Sequence, residues 1–282
     1  MQNLKERTDS LKSEYPSVDR RGPVGSGGLP VTDDFVAVSL SGGKDSSCLL
    51  ILMIENGMPI DVVLTADTGM EFPDMYEHLA KLDDFLYQKR GIHISTLRRS
   101  ESFEWLMFDR PVNRVKNGNH LPPYGYGWPG VRKRWCTAML KTDLINREVN
   151  RLKKERNAMH YIGIAADEAH RCKDDKHNRY PLVDWGITEA QALQICYDRG
   201  FDFGGLYEIY HRASCWLCPF QRIDELRTLR THHPELWARL RELDNRARAQ
   251  FGPGPLGQFK QNWSVERLEE RFAREEKEAK TE

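Results

Sequence analysis

The segment VAVSLSGGKDSSCLLILMIENG, residues 36–57, joins an apolar run to a helical pattern through the turn Ser-Gly-Gly-Lys-Asp-Ser. Apolar residues 35–40 predict a buried strand, and residues 45–56, closed by Gly57, predict a helix. The glycine pair between them permits a tight turn that presents several backbone N–H groups to one point. A strand, a glycine-rich turn and a helix N-terminus in this order predict a site for an anion such as phosphate.

Four side chains of this turn suit phosphate binding. Ser41 and Ser46 offer hydroxyl donors, and Lys44 offers a positive charge. Asp45 can hold Mg²⁺ or cap the first turn of the helix. The spacing is not that of a Walker A loop.

The strand–helix pattern continues after this turn. Residues 61–66 and 92–97 predict buried strands, and residues 73–90 predict the long amphipathic helix between them. This order predicts a parallel sheet with right-handed crossovers, to which residues 161–165 would add a fourth strand.

The remaining chain is mostly helical in pattern. The predicted helices are residues 137–156, 188–199, 223–232 and 234–250, and an exposed, charged helix beyond Ser264. Residues 111–130, rich in glycine, proline and aromatics, predict no regular element. We therefore expect an α/β fold, a Rossmann-like parallel sheet flanked by helices, with a smaller, mostly helical, cysteine-bearing C-terminal region. The expected divisions are an N-terminal extension (1–34), a nucleotide-binding domain (35–185) and the helical region (186–282).

Composition indicates an ordinary globular chain. Its 282 residues are 39% hydrophobic and 30% charged, with a formal net charge of zero. The absence of a long apolar run predicts no membrane span, and the polar N-terminus and six cysteines predict a cytoplasmic protein with reduced thiols. Residues 98–156 nevertheless contain 14 Lys and Arg against six Asp and Glu. This excess fits either a solvated basic face or a surface for an anionic ligand.

The turn resembles the Ser-Gly-Gly-x-Asp-Ser loop of the PP-loop ATP pyrophosphatases, which are adenine-nucleotide α-hydrolase-like proteins. The resemblance implies that this loop binds the phosphates of ATP, with Mg²⁺ bridging phosphate oxygens. The implied nucleotide-binding residues are Ser41, Gly42, Gly43, Lys44, Asp45 and Ser46. Lys44 and Asp45 are also implied to act in catalysis.

A second segment, TADTGMEFPDMYEHL at residues 65–79, is similar to the Asp-Thr-Gly-x-x-Phe-Pro-x-x-Tyr pattern of the phosphoadenylyl-sulfate (PAPS) reductase family. Asp67 and Thr68 are then expected to contact the nucleotide, with Asp67 placed at the end of a parallel strand where ligands bind. The alternative for Asp67 is an N-cap or a turn former.

Two more segments resemble the same family. In RKRWCTAMLK, residues 132–141, Arg134 and Lys141 would contact phosphate or sulfate. In IGIAADEAHR, residues 162–171, Glu168 and Arg171 match the family pattern as a nucleotide contact and a catalytic cation. Ala165 stands where many relatives have arginine, which leaves that ligand contact in doubt.

The cysteines suggest a metal centre. Cys215 and Cys218 form a C-x-x-C, whose two thiolates can share one metal or cluster or act as a redox pair. With Cys136 and Cys196 they resemble the cysteine order of the DNA-phosphorothioation branch, in which four such cysteines hold a [4Fe–4S] cluster. The resemblance implies a [4Fe–4S] cluster on these four residues, with structural Zn²⁺ or free redox thiols as alternatives.

The resemblance implies ATP pyrophosphatase chemistry, ATP to AMP and pyrophosphate, coupled to sulfur transfer. The expected partners are an adenine nucleotide and a sulfur donor such as a cysteine desulfurase, and a nucleic-acid acceptor and a second copy of the chain are further candidates. One alternative is a PAPS or adenylyl-sulfate reductase, against which count the intact loop and the lack of a cysteine after Cys218 in this sequence. Another is a non-catalytic nucleotide-binding subunit of a DNA-modification or defence complex.

The irregular segment carries three aromatic residues in a basic stretch. Tyr124, Tyr126 and Trp128 can clasp an adenine or a nucleic-acid base, or form a loop packed on itself.

Overall fold

The computed structural model describes residues 34–113, 115–116, 119–120, 124–131, 133–213 and 215–280. The predicted N-terminal extension therefore lies outside the described residues, apart from Asp34. The chain forms two compact units. The first unit comprises the chain up to Leu64, Asp83–Ile94 and Val149–Gly200, and the second comprises Thr65–Leu82, Ser95–Glu148 and the chain from Phe201.

A five-stranded parallel sheet confirms the predicted α/β class. Its strands are β1 (Val36–Ser39), β2 (Val62–Asp67), β3 (Ile94–Arg98), β6 (Met159–Ile162) and β7 (Asn178–Arg179), in the order β3-β2-β1-β6-β7. The central strand β1 pairs in parallel with β2 on one side and β6 on the other, so that Val38 faces both Val63 and Tyr161. The fourth strand begins two residues before its predicted start, and the short β7 was not predicted.

The long helices follow the predicted pattern, whereas the short helices at Pro181–Asp184 and Leu206–Ile209 were not predicted. They are α1 (Lys44–Glu55), α2 (Pro73–Arg90), α3 (Trp135–Thr137), α4 (Asp143–Arg156), α5 (Pro181–Asp184), α6 (Glu189–Asp198), α7 (Leu206–Ile209), α8 (Ile223–His232), α9 (Pro234–Phe251) and α10 (Val265–Ala279). A π-helix, Ala138–Thr142, joins α3 to α4, so the predicted helix 137–156 is interrupted in its first turn. In the part of the chain that the structure describes, no helix combines the length and the apolar character needed to cross a bilayer.

The core of the first unit explains why its sequence reads as buried strand and buried helix. Ala37 and Val38 of β1 are fully buried, as are Leu49, Leu50 and Ile51 of α1. Because β1 has neighbours on both edges and α1 packs against α6, both elements are apolar on nearly every side.

The second unit is held together by a buried carboxylate. Asp244 of α9 is 1% exposed and accepts hydrogen bonds from the Trp128 indole (3.1 Å) and from the backbone N–H groups of Phe259 (2.8 Å) and Val265 (2.8 Å). These bonds join α9 to two loops and to the first residue of α10. Burial outweighs these hydrogen bonds and raises the pKa of Asp244.

The final helix differs from its prediction. We expected an exposed, charged helix beyond Ser264, but α10 buries Val265, Leu268 and Phe272 on one face. These residues recur at spacings of three and four, so they share one side of the helix and pack into the core of the second unit.

The segment expected to be irregular contains some regular structure. A π-helix, Trp105–Asp109, precedes it, and β4 (Val115–Lys116) pairs antiparallel with β5 (Asn119–His120). The end of the segment is tied to the π-helix: the N–H groups of Tyr126 and Gly127 donate to the carbonyls of Leu106 (2.9 Å) and Met107 (2.9 Å).

Candidate nucleotide-binding site

The Ser-Gly-Gly-Lys-Asp-Ser turn folds around its own hydroxyl groups. Gly42 has a φ of +79°, a left-handed conformation that glycine adopts without strain. The Ser46 hydroxyl accepts the Ser41 N–H (3.1 Å) and donates to the Gly43 carbonyl (3.1 Å). Gly43 is the N-cap of α1, and no side chain of the described residues caps that end. The partial positive charge of this helix N-terminus therefore points towards the loop, which favours an anion there.

Charged side chains converge on the start of α1. The Lys44 ammonium lies 3.5 Å from an Asp45 carboxylate oxygen and 3.1 Å from a Glu189 carboxylate oxygen. Carboxylate oxygens of Asp45, Glu168 and Glu189 lie within 4.8 Å of one another, and Oδ1 of Asp45 is buried without a hydrogen-bond partner in the described residues. Burial raises the pKa of Asp45 to about 6, against the attraction of Lys44. A divalent cation would relieve this crowding of negative charge.

A glycine at the end of β6 brings that strand against the loop. A Cβ added at Gly163 would lie 2.6 Å from the Ser46 Cα and 2.9 Å from the Asp45 carbonyl carbon. Only glycine permits this approach, so residue 163 sets the packing of the loop against the sheet.

The Ile162–Arg171 motif lies mostly in a 3₁₀ helix, Ala166–Arg171, in the first unit. Arg171 forms an ion pair with Glu168, and the carboxylate of Glu168 neighbours those of Asp45 and Glu189. The structure thus joins the predicted residues Asp45, Glu168 and Arg171 into one charged network. Ala165, at the position where arginine was expected, is fully buried.

In the second unit, Asp67 ends β2 and is surrounded by donors. It accepts hydrogen bonds from the Arg98 Nε (2.9 Å), the Gly69 N–H (2.7 Å) and the Tyr76 hydroxyl (2.9 Å). Burial opposes ionisation of Asp67, but these hydrogen bonds outweigh it and hold its pKa below the ordinary value. The hydrogen bond from the Gly69 N–H makes Asp67 a turn former, the alternative that we considered, and its contact with the nucleotide stays a prediction.

A second network links Thr68, Glu71, Lys141 and Cys215. The Thr68 hydroxyl contacts both Glu71 carboxylate oxygens (2.9 and 2.8 Å), and Lys141 lies 3.1 Å from Glu71. The Cys215 thiol lies 3.5 Å from Glu71 Oε1. Burial raises the pKa of Cys215 to about 12, although the Lys141 ammonium acts in the opposite direction. Lys141, predicted to contact phosphate, thus has a carboxylate partner in this structure.

Arg134, also predicted to contact phosphate, precedes α3 and is exposed. Its guanidinium lies 4.2 Å from the centre of the Phe220 ring, a cation–π contact. The segment before it includes Arg132, which lies outside the described residues.

The predicted metal-ligating cysteines divide between the units. Cys136, Cys215 and Cys218 belong to the second unit, where Cys218 influences the pKa of both other thiols. Cys196 belongs to the first unit, where it is fully buried and its thiol donates to the Lys44 carbonyl (3.5 Å). A hydrogen bond with Cys196, followed by burial, raises the pKa of Cys48.

These distances bear on the type of metal. Thiolates on a single Zn²⁺, with Zn–S bonds of about 2.3 Å, lie about 3.8 Å apart. Among the described residues, Asp45, Glu168 and Glu189 are the only set of three potential ligands whose atoms lie within 4.8 Å of one another. The binding of a cluster or of zinc by the cysteines stays a prediction.

The site also contains residues that sequence reasoning missed. Glu189, the first residue of α6, reaches Lys44 although 145 positions separate them in the chain. Gly163 and Glu71 were read only as parts of motifs. A signal existed for Glu189, since Thr188 and Gln191 form a capping box that places a glutamate at a helix N-terminus.

Comparison with known proteins identifies a family and two relatives. Residues 35–219 match the model of the phosphoadenosine phosphosulfate reductase domain. An uncharacterized protein of Methanocaldococcus jannaschii is 26% identical over 222 residues, which are 72% of this chain and 40% of that protein. An uncharacterized 37.8 kDa protein of Escherichia phage 186 is 26% identical over 246 residues, 73% of each chain. The chain thus spans about two fifths of the archaeal relative (40%).

The comparison with solved structures includes a tRNA-modifying enzyme. The U34-tRNA thiolase NcsA of Methanococcus maripaludis, solved with its [4Fe-4S] cluster, is 18% identical with a TM-score of 0.39. The match covers 86% of this chain and 79% of NcsA. Because the family model spans well over half of the sequence, the chain belongs to the phosphoadenosine phosphosulfate reductase domain family.

Proposed function

We propose that this chain is an ATP pyrophosphatase that adenylylates an acceptor and thereby serves sulfur transfer. The observation that carries the proposal is the start of α1. There an uncapped helix N-terminus, a glycine turn, one lysine and three carboxylates meet in residues 41–46, 168 and 189. This combination suits a triphosphate with its divalent cation, because it offers backbone donors and a cation to the phosphates and carboxylates to the metal.

The proposed chemistry has two displacements. An acceptor oxygen attacks the α-phosphorus of ATP, the bond from that phosphorus to the α,β-bridging oxygen breaks, and its electron pair leaves with pyrophosphate. A sulfur nucleophile then attacks the acceptor carbon, and AMP leaves with the electron pair of the carbon–oxygen bond. Lys44 and the loop N–H groups stabilise the negative charge of pyrophosphate as it leaves.

Magnesium fits the first unit. Asp45, Glu168 and Glu189 would hold the cation, which the buried and unpartnered Oδ1 of Asp45 favours. Bound there, Mg²⁺ would neutralise phosphate oxygens and polarise the α-phosphate. Lys44 would then exchange its carboxylate partners for phosphate oxygens.

The cysteines carry a proposal of their own. The order Cys136, Cys196, Cys215 and Cys218 supports a [4Fe–4S] cluster of the phosphorothioation-like branch, whose chemistry would be reversible electron transfer. Iron analysis and visible absorption spectroscopy after anaerobic purification test the cluster. Cys218→Ser should lose both the iron and the thiolate-to-iron charge-transfer absorption, whereas Cys172→Ser should keep both. A wild-type protein free of iron contradicts the cluster.

Substrate discrimination tests the proposed function. Anaerobic protein is incubated with Mg²⁺, sulfide, a mixture of RNA and DNA as acceptors and either ATP or PAPS, and AMP, pyrophosphate and sulfite are measured. We expect AMP and pyrophosphate in equal amounts from ATP. Release of sulfite from PAPS with a thiol reductant, and none of pyrophosphate from ATP, would assign the chain to the reductase alternative.

A further inference from the structure

The second unit contains a cavity that the proposed nucleotide site does not use. Its volume is about 800 Å³, within the range of small-molecule and cofactor sites. The lining includes Arg110, Lys133 and Arg134, and contains no carboxylate among the described residues. It lies in the stretch of the sequence with the excess of basic residues.

Aromatic rings accompany these cations. Tyr126 and Trp135 line the cavity with ring centroids 5.7 Å apart, and the Arg110 guanidinium lies 5.4 Å from the centre of the Tyr126 ring. The Trp135 indole is held by a hydrogen bond to the Gly127 carbonyl (3.1 Å). Planar rings and guanidinium groups are the surfaces on which nucleobases stack.

Two glycines fix the wall that carries Tyr126. A Cβ at Gly125 would lie 2.2 Å from the Met107 carbonyl oxygen, and one at Gly127 would lie 2.4 Å from the Leu256 carbonyl oxygen. Both glycines have positive φ, +73° and +66°. Glycine at these two positions therefore lets the loop of Tyr126 pack closely against the backbone of Met107 and Leu256.

Of the aromatic residues in this loop, Trp128 is buried in the core and Tyr126 is accessible from the cavity. Trp128, which the sequence offered as a base-stacking residue, is 2% exposed and donates its indole N–H to Asp244, so it is part of the core. Tyr126 is half-buried and faces the cavity. Tyr126, and not Trp128, is therefore the ring on which a base could stack.

We propose that this cavity binds one nucleotide of a single-stranded polynucleotide, the acceptor of the sulfur. The inference rests on the proposed function, whose acceptor it specifies. Three cations without a carboxylate suit a chain of phosphates, and the rings suit a base that is free of a duplex stack. RNA and DNA share this chemistry, and the test distinguishes them.

The experiment measures binding without ATP. Short fluorescein-labelled oligonucleotides of uridine (RNA) or thymidine (DNA) are titrated with full-length protein, and anisotropy is recorded at several salt concentrations. We expect Lys133→Glu to weaken binding about tenfold or more and to reduce the salt slope by about one. Tyr126→Leu should weaken binding with little change of the slope, since stacking releases no counterion.

Lys154→Glu is the matched control. Lys154 is exposed on α4 and does not line the cavity, and Lys154→Glu makes the same change of charge. Its effect should be less than about threefold, as for an exposed charge screened by salt. Equal effects of Lys133→Glu and Lys154→Glu, or no binding of either oligonucleotide by wild type, would overturn the inference. Tighter binding of one polymer identifies the acceptor as RNA or DNA.

Failure of the inference is separable from failure of the proposed function. Wild-type protein that releases pyrophosphate from ATP but binds neither oligonucleotide contradicts the cavity assignment alone. Wild-type protein that binds an oligonucleotide in a Lys133-dependent way but releases no pyrophosphate contradicts the ATP chemistry alone.

Discussion

Lys44 and Asp45 lie side by side at the start of α1, and each has a separate task in the proposed chemistry. The Lys44 ammonium lies 3.5 Å from a carboxylate oxygen of Asp45 and 3.1 Å from one of Glu189, and its charge offsets theirs. We expect a bound triphosphate to replace those partners. Asp45 carries the buried oxygen that suits a cation.

The pKa of Asp45 makes cation binding depend on pH. Because Asp45 has a pKa of about 6, it is mostly ionised at pH 7 and mostly protonated at pH 5. A protonated carboxyl is a poor ligand, so affinity for Mn²⁺, used as a probe of Mg²⁺, should fall as pH is lowered through that range. The measurement is Mn²⁺ binding by electron paramagnetic resonance in the presence of a nonhydrolysable ATP analogue.

Two variants test whether the pH dependence of Mn²⁺ binding comes from Asp45 or from other titrating groups. Asp45→Asn should weaken Mn²⁺ binding about tenfold or more and flatten its pH dependence, since no carboxylate remains to titrate. Asp84→Asn, an exposed position on α2, should behave as wild type. A pH profile unchanged in Asp45→Asn would contradict the assignment of the cation to this carboxylate.

Substitution of Gly163 tests the close packing of β6 against the loop at residues 41–46. Gly163→Ala places a Cβ 2.6 Å from the Ser46 Cα, so the loop or β6 must shift. We expect a loss of about 1–3 kcal/mol in the free energy of unfolding, and a loss of pyrophosphate release beyond that explained by unfolded protein. Gly254→Ala is the control, because a Cβ there meets nothing within 4 Å. Full activity of Gly163→Ala would show that the loop tolerates displacement.

At the scale of elements, the β1–β6 pair contains a buried histidine. His160 Nε2 lies 2.6 Å from the Ser39 hydroxyl oxygen, and burial, followed by the charge of Lys153, lowers the pKa of His160 to about 4. An unfolded chain binds this proton below about pH 6.5, whereas the folded chain does not until about pH 4. Stability from this residue is therefore present at neutral pH and is lost as pH falls.

The size of this loss can be measured. Between about pH 7 and pH 5, wild type should lose about 2 kcal/mol in the free energy of unfolding through His160. Urea unfolding of wild type and His160→Gln at both pH values tests this, and the variant should show the smaller pH dependence. An equal pH dependence would mean that His160 is protonated in the folded state.

Asp244 connects α9, α10 and the loop of Trp128, and its removal tests the second unit. Asp244→Ala leaves the Trp128 indole and two backbone N–H groups without their buried acceptor, so we expect a loss of about 3–5 kcal/mol. Glu242→Ala on the same helix removes only an exposed ion pair with Arg239, worth less than about 1 kcal/mol. Urea unfolding compares them, and similar losses would contradict a special role for Asp244.

Sequence reasoning succeeded where structure is local. Helices α2 and α8 begin and end at the predicted residues, and proline at the start of α2 and glycine after it mark that helix in the sequence. Sequence reasoning failed where contacts between residues far apart in the chain determine the structure. The π-helix Ala138–Thr142 and the buried face of α10 depend on packing within the second unit, which a charged sequence does not reveal.

The candidate site shows the same limit. The loop at residues 41–46 was evident from its own residues, and the structure adds Glu189 and Gly163 to it. Those additions come from elements far along the chain, and their importance follows only from close approach in the folded protein.

At the scale of the whole molecule, membership of the phosphoadenosine phosphosulfate reductase domain family unites these features. The first unit carries the loop and its carboxylates, and the second carries the Glu71–Lys141 pair and the basic cavity. Each unit thus supplies groups suited to a different anion.

The most direct measurement is the fate of ATP labelled in its α-phosphate, in anaerobic protein with Mg²⁺, sulfide and oligonucleotide, for wild type and Lys44→Ala. We predict that the label appears as AMP, with matching pyrophosphate, and that Lys44→Ala slows its formation about 100-fold or more. Label recovered as ADP, no turnover by wild type, or equal rates for both proteins would contradict the account.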